Sequence, residues 1–171
     1  MTQATATADG YDQFAAVADE YGIEPRRVPP DEVADTIDEL VSQPAIGTAL
    51  PWDGVALPES VTADPTAGDL QAAETGVTAA SFAIASYGSL VLEPDHAGSE
   101  PVSLFNDLHI TVVREADILH DMAAAFDRLG DDLRAERGSA IIATGPSATA
   151  DMGALVQGAH GPKRVEVLVV T

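Results

Sequence analysis

Hydroxyls, glycines and a histidine crowd the end of this chain: Thr144-Gly145-Pro146-Ser147-Ala148-Thr149-Ala150-Asp151, then Gln157-Gly158-Ala159-His160-Gly161-Pro162. Ser147 and Thr149, with the backbone at Gly145 and Gly161, can offer neutral hydrogen bonds to a small anion. His160 has the side chain whose ordinary titration lies nearest neutrality, so it is the candidate acid or base. Asp151 is the candidate carboxylate that orients it, or a ligand hydroxyl. Each residue also has a plainer role. The hydroxyls can simply cap a helix, Asp151 can favour the positive end of that helix, and His160 can cap free carbonyls where it stops. A second turn, Ser86-Tyr87-Gly88-Ser89, adds two hydroxyls and a glycine beside another strand end. The two turns are expected to face one cleft. His109 begins a strand and reads as a core or sheet-edge hydrogen-bonding residue, whereas His96 and His120 read as loop and helix-surface residues. No pair of histidines has metal-ligand spacing, so no metal site is expected. Dinucleotide-binding and P-loop glycine patterns, the nucleophile elbow and HExxH are all absent.

The elements that must position these residues follow from hydrophobic period. Apolar runs at 140–143 and 165–170 predict buried strands. Between them, Met152, Leu155 and Val156 recur at helical spacing after Ser147 or Thr149, and Gly158 follows, which predicts a short capped helix. Upstream, 11–21 predicts a helix with Phe14, Val17, Ala18 and Tyr21 inward, and 25–28 a short strand. Pro29 and Pro30 start a helix with Val33, Ile37, Leu40 and Val41 inward. Strands are expected at 45–50 and 55–57, around the Pro51-Trp52-Asp53-Gly54 turn, where Trp52 reads as a packing residue. A loop is expected at 61–68, helical pieces at 69–74 and 78–86, a strand at 89–93 and a polar loop at 94–101. A strand at 110–113 and a long helix from 117 to about 137, with Phe126 inward, complete the pattern. Strands alternating with helices predict one α/β layer sandwich over residues 1–171, its largely parallel sheet covered on both faces.

The chain has 171 residues, 46% of them hydrophobic, and a formal charge of −20. That length suits one domain with a real core. Nucleic acid and anionic membrane surfaces are disfavoured as partners by the charge. The acids are scattered, with Asp31, Glu32, Asp35, Asp38 and Glu39 on one helix and Asp127, Asp131, Asp132 and Glu136 on another. Scatter reads as a solvated coat of the halophilic kind, suited to a salt-rich cytoplasm, rather than as a binding patch. With no cysteine, the chain has no disulfide and supplies no thiolate to zinc or an iron–sulfur cluster. No apolar run is long enough to span a membrane, and 1–10 lacks the pattern of a secretory signal, so a cytoplasmic location is expected.

One further pattern joins these pieces. Glu74-Thr75-Gly76-Val77-Thr78-Ala79-Ala80 leads into 82–92 with its Ser86-Tyr87-Gly88-Ser89 turn. Leu108-His109-Ile110-Thr111-Val112-Val113 follows, then the GPSATAD and GAHGP segments. In this order they resemble the LUD domain of lactate-utilisation proteins (LutC/YkgG-like), most strongly from about Glu74 onward. The resemblance implies a mixed, largely parallel sheet in a three-layer sandwich of the NagB/RpiA/CoA-transferase-like kind. It also implies a subunit or accessory of a system oxidising lactate to pyruvate, with iron–sulfur clusters on partner proteins and no cofactor in this chain. A small organic anion is the implied ligand, with Ser86, Gly88, Ser89, Gly145, Ser147, Thr149 and Gly161 as its binding residues. A stand-alone isomerase or CoA-transferase-like enzyme and a non-catalytic anion sensor are the rival readings. The chain departs from the family pattern in carrying Ser86-Tyr87 where an acid and Thr are usual. It has Ala148 in place of a basic residue and Gly98-Ser99-Glu100 near a usual arginine, which leaves its candidate site neutral.

Overall fold

The structure, a computed structural model, describes residues 8–136, 138–151 and 154–171. The chain runs α1 (Ala8–Asp19), β1 (Arg26–Val28), α2 (Val33–Leu40), β2 (Ala45–Gly47), β3 (Val61–Ala63), α3 (Ala67–Ala72), β4 (Thr75–Ala79), β5 (Phe82–Ile84) and β6 (Ser89–Leu92). It continues through α4 (Ser99–Leu104), β7 (Leu108–Arg114), β8 (Ile118–Leu119), α5 (Met122–Glu136), β9 (Ile141–Ala143), β10 (Ala148–Asp151), β11 (Ala154–Gln157) and β12 (Arg164–Val170). Six strands form the main sheet in the order β1-β12-β7-β4-β2-β3, and every pairing in it is parallel. A second sheet, β8-β5-β6-β9, is mixed, and β10 pairs antiparallel with β11. The mixing expected of one sheet is therefore confined to the smaller one.

The centre of the main sheet follows from composition. Leu108 to Val113, His109 apart, and Val167 to Val170 are β-branched or apolar and buried on both faces, as a strand covered on both sides must be. Ile110, Val112, Leu168 and Val170 pack on Val33 and Ile37 of α2. The opposite face puts Val113, Val167 and Val169 against Leu90 and Leu92 of β6 and Phe14 and Ala18 of α1. The second sheet then turns Phe82, Ile84 and Val91 toward Ala125 and Leu129 of α5. The stacking is helix, sheet, sheet, helix, one layer more than expected.

Several expected elements change identity. The helix expected at 78–86 is the end of β4, then β5 and a short 3-10 turn at Ala85–Tyr87. Its small and β-branched residues are almost all buried on both faces, a demand that a strand meets and an amphipathic helix does not. The loop expected at 61–68 contains edge strand β3, whereas 55–57 forms no strand. Helix α4 begins inside the expected loop at 94–101. Helix α5 begins at Met122 rather than 117, because Ile118 and Leu119 pair with β5, and Phe126 points outward at 61% exposure.

The capped helix expected after Ser147 is the β10–β11 hairpin. Its register sets Thr149 opposite Val156, a β-branched pair across the strands. A helix fenced by Pro146 and Gly158 would span only about three turns and include Thr149, Gly153 and Val156, poor helix formers that do little to repay its nucleation. Leu155 and Val156, expected inward, are exposed.

Candidate functional site

Main and second sheets part near the amino ends of β7 and β12, leaving a cavity of about 410 Å3. Its apolar wall comes from Leu90, Leu92, Ile141 and Val165. Its floor is polar: His109 and Thr111, two apart on β7, face the same way. The loops 144–148 and 160–162 form its rim. They are tied together by Ser147, whose N–H donates to the Pro162 carbonyl at 2.8 Å while its carbonyl accepts from Gly158 N–H at 2.9 Å.

His109 is 3% exposed, and its Nε2 lies 2.8 Å from Thr78 Oγ1 on the neighbouring strand. Thr111 Oγ1 sits 3.2 Å from each ring nitrogen. Burial pushes the imidazole pKa down to about 4, so His109 is neutral at pH 7 and works through hydrogen bonds, not charge. The expected core role of this residue is correct, and it also floors the cavity. His160 stands exposed at the rim.

Of the residues singled out in the sequence, Gly145, Ser147, His160 and Gly161 meet at this cavity. Gly145 adopts a left-handed φ of +69°, which turns the chain out of β9 and under Tyr21. Gly161 lies against Ser147, and a Cβ there would come within 2.9 Å of the serine Cβ. Ser89 stands one bond behind the wall, its Oγ 2.7 Å from Thr144 Oγ1. Ser86 and Gly88 do not line the cavity: Gly88 presses on the α1 backbone at Ala18, and the Ser86 N–H donates to the His120 carbonyl. Thr149 lies along the hairpin. Asp151 ends β10, and its side chain is outside the described residues.

Because the hairpin replaces a helix, Asp151 has no helix amino end to favour and His160 no helix carboxyl end to cap. The helix-terminus argument for an anion here falls with it. What remains is a mostly apolar cavity with hydroxyl and imidazole groups at floor and rim, suited to a small molecule with an apolar body and a polar end. The legible signal for the floor was the alternation His109-x-Thr111 within an apolar run. Polar side chains on one face of a strand buried on both faces mark a network or a cavity. Among the described residues no group of three or more His, Asp or Glu side chains is placed to hold a metal. No described helix is long and apolar enough to cross a membrane.

Comparison with known proteins agrees with this architecture. The LUD domain family model matches residues 65–170, and the chain belongs to that family. Lactate utilization protein C of Deinococcus radiodurans is 34% identical over 106 residues, which cover 60% of this chain and 49% of that protein. The chain thus spans about half the length of that curated relative. A crystal structure of a DUF162 family protein from Deinococcus radiodurans shares the fold, with a TM-score of 0.73 at 22% identity, covering 96% of this chain and 98% of that one.

Proposed function

We propose that this chain acts in lactate utilisation as a small-acid-binding component of the lactate utilization protein C kind. Iron–sulfur proteins of the same system would receive the two electrons released as lactate becomes pyruvate. The chain itself has no cysteine to hold a cluster by thiolates. The observation that carries the reading is the convergence of Ser147, His160 and Gly161 with buried His109 on one cavity, inside the segment matched by the family model. A three-carbon acid would lay its methyl group on Leu92, Ile141 and Val165. Its polar end would face Ser147 and His160, and His160 is the group placed to take or return a proton. The alternation of strands and helices around a parallel sheet supports kinship with the NagB/RpiA/CoA-transferase-like fold. No residue here answers to a CoA-transferase glutamate.

Thermal melting tests the reading. L-lactate or pyruvate raises the melting temperature of the wild type, because a ligand held by the folded state stabilises it by mass action. In a Ser147→Ala/His160→Ala double variant that rise is smaller while the fold remains. A rise of the same size in the double variant removes the ligand from this cavity.

A further inference from the structure

The opposite end of the main sheet holds a second concavity of different chemistry. Strands β2 and β4 are neighbours, and the chain leaves them in opposite directions, from β2 to the edge strand β3 and from β4 toward β7. In open α/β sheets the crevice beyond the carboxyl ends of two such strands is where ligands bind. Here that crevice is a cleft of about 390 Å3, lined by Thr48, Trp52, Ser81, Glu93, Arg114 and Arg128 among others. Two of the eight Lys and Arg residues of a chain with a formal charge of −20 therefore face one cleft.

Their arrangement is fixed from below. Asp117, nearly buried, accepts from Arg114 Nε at 2.7 Å through one oxygen and from Arg128 Nη1 at 3.1 Å through the other. Arg128 Nη2 also donates to the Ser81 carbonyl at 3.0 Å, and its guanidinium lies 4.7 Å from the Phe82 ring centroid. Asp117 thus orients both guanidinium groups, and because Glu93 and Asp95 also line the cleft, the positive end is local to the outer face of Arg114. The two terminal nitrogens of Arg114 have no partner among the described residues, and its side chain is 49% exposed. Held through Nε, it presents that pair of N–H groups as a fork that matches a carboxylate. Trp52 lies beside it, with the guanidinium 5.8 Å from the ring centroid. Asp95 is already engaged by Ser99, whose Oγ and N–H donate to it at 2.6 and 3.0 Å. Glu93 has no partner among the described residues, and its carboxylate in the cleft repels a second negative charge on a ligand.

We infer that this cleft is a second binding site, separate from the cavity at the other end of the sheet, and that it takes a small monocarboxylic acid. The carboxylate sits on the fork of Arg114 and the carbon chain lies beside Trp52. The site stands on Arg114, Asp117 and Trp52 alone and does not depend on the reading of the first cavity.

Trp52 is the only tryptophan in the chain, so its emission reports on this cleft. Sodium L-lactate, titrated at constant ionic strength, gives a saturable change in Trp52 emission, and the neutral isostere L-lactamide gives none. Arg114→Gln weakens the response by about tenfold or more, the loss expected for a charge-assisted pair. Arg114→Lys, which keeps the charge but not the fork, weakens it less and covers the case in which Arg114→Gln does not fold. Ser147→Ala and His160→Ala, at the other cavity, leave it unchanged. Absence of a saturable change overturns the inference, as does an equal response to L-lactamide or an unaltered affinity in either folded Arg114 variant. Loss of the response in Ser147→Ala overturns it too, by moving the ligand to the first cavity.

Discussion

His109 is the residue on which the chemistry of the first cavity turns. A charged imidazole there would draw an anion to the floor, but burial keeps this one neutral, paired with Thr78 and Thr111. That neutrality has a stability consequence of fixed sign. The folded state binds the His109 proton only near pH 4, whereas the unfolded chain binds it near the ordinary pKa of 6.5. Its contribution is therefore fully present above pH 6.5 and is lost as pH falls toward 4, by about 3 kcal/mol. His109→Gln keeps a hydrogen-bonding side chain but not the titration. In urea unfolding, the gap in stability between wild type and His109→Gln shrinks by roughly that amount between pH 7 and pH 4. A constant gap across the range contradicts the buried, neutral assignment. The residues at the rim were legible because Ser147, His160 and their glycines sit in a loop-like composition between two clear strands. Ser86 and Gly88 share that composition, yet Gly88 serves the contact with α1 and Ser86 bonds the His120 carbonyl, and only the packing separates the two cases.

At the scale of elements, the sequence signals worked where burial left no choice. Residues 167–170 are apolar and buried on both faces and form the end of β12, whereas 141–143, expected as a buried strand, forms β9 with Ile142 41% exposed. Residues 33–40 carry Val33 and Ile37 one turn apart and form α2. The signals failed where two periods fit the same residues. Met152, Leu155 and Val156 satisfy helical spacing, while Thr149 opposite Val156 satisfies a hairpin, and the second needs only local pairing. Small residues at 78–84 carry no amphipathic stripe, so nothing in their order distinguished a buried strand pair from a helix. The loops flanking the hairpin meet at the cavity rim, where Gly161 lies against Ser147. Gly161→Ala must push these two loops apart, at a cost of about 1–3 kcal/mol. The expected outcome is a lower midpoint of denaturation, together with a smaller lactate-induced rise in melting temperature. An unchanged midpoint would mean that the loops are not held by this contact.

Over the whole molecule, a formal charge of −20 surrounds three apolar core clusters. Among the described residues few of the acids are neutralised: Arg27 grips Glu115 and Lys163 reaches Asp107 at 2.6 Å, but most of those described stand without a cation. Self-repulsion is strongest where the Debye length is long. The melting temperature therefore climbs as KCl goes from millimolar to molar, and a flat profile would show that the coat costs the fold little. The same acid coat disfavours anionic ligands everywhere except where local donors gather, which makes the two ends of the main sheet the places to look. The most direct test of the account is histidine NMR during an L-lactate titration at constant ionic strength. Of the four histidines, His109 and His160 line the first cavity and His120 does not. The account predicts saturable ring shifts at His109 and His160 with a common affinity, and a motionless His120. Ring signals of His109 and His160 that stay in place at saturating lactate would contradict it.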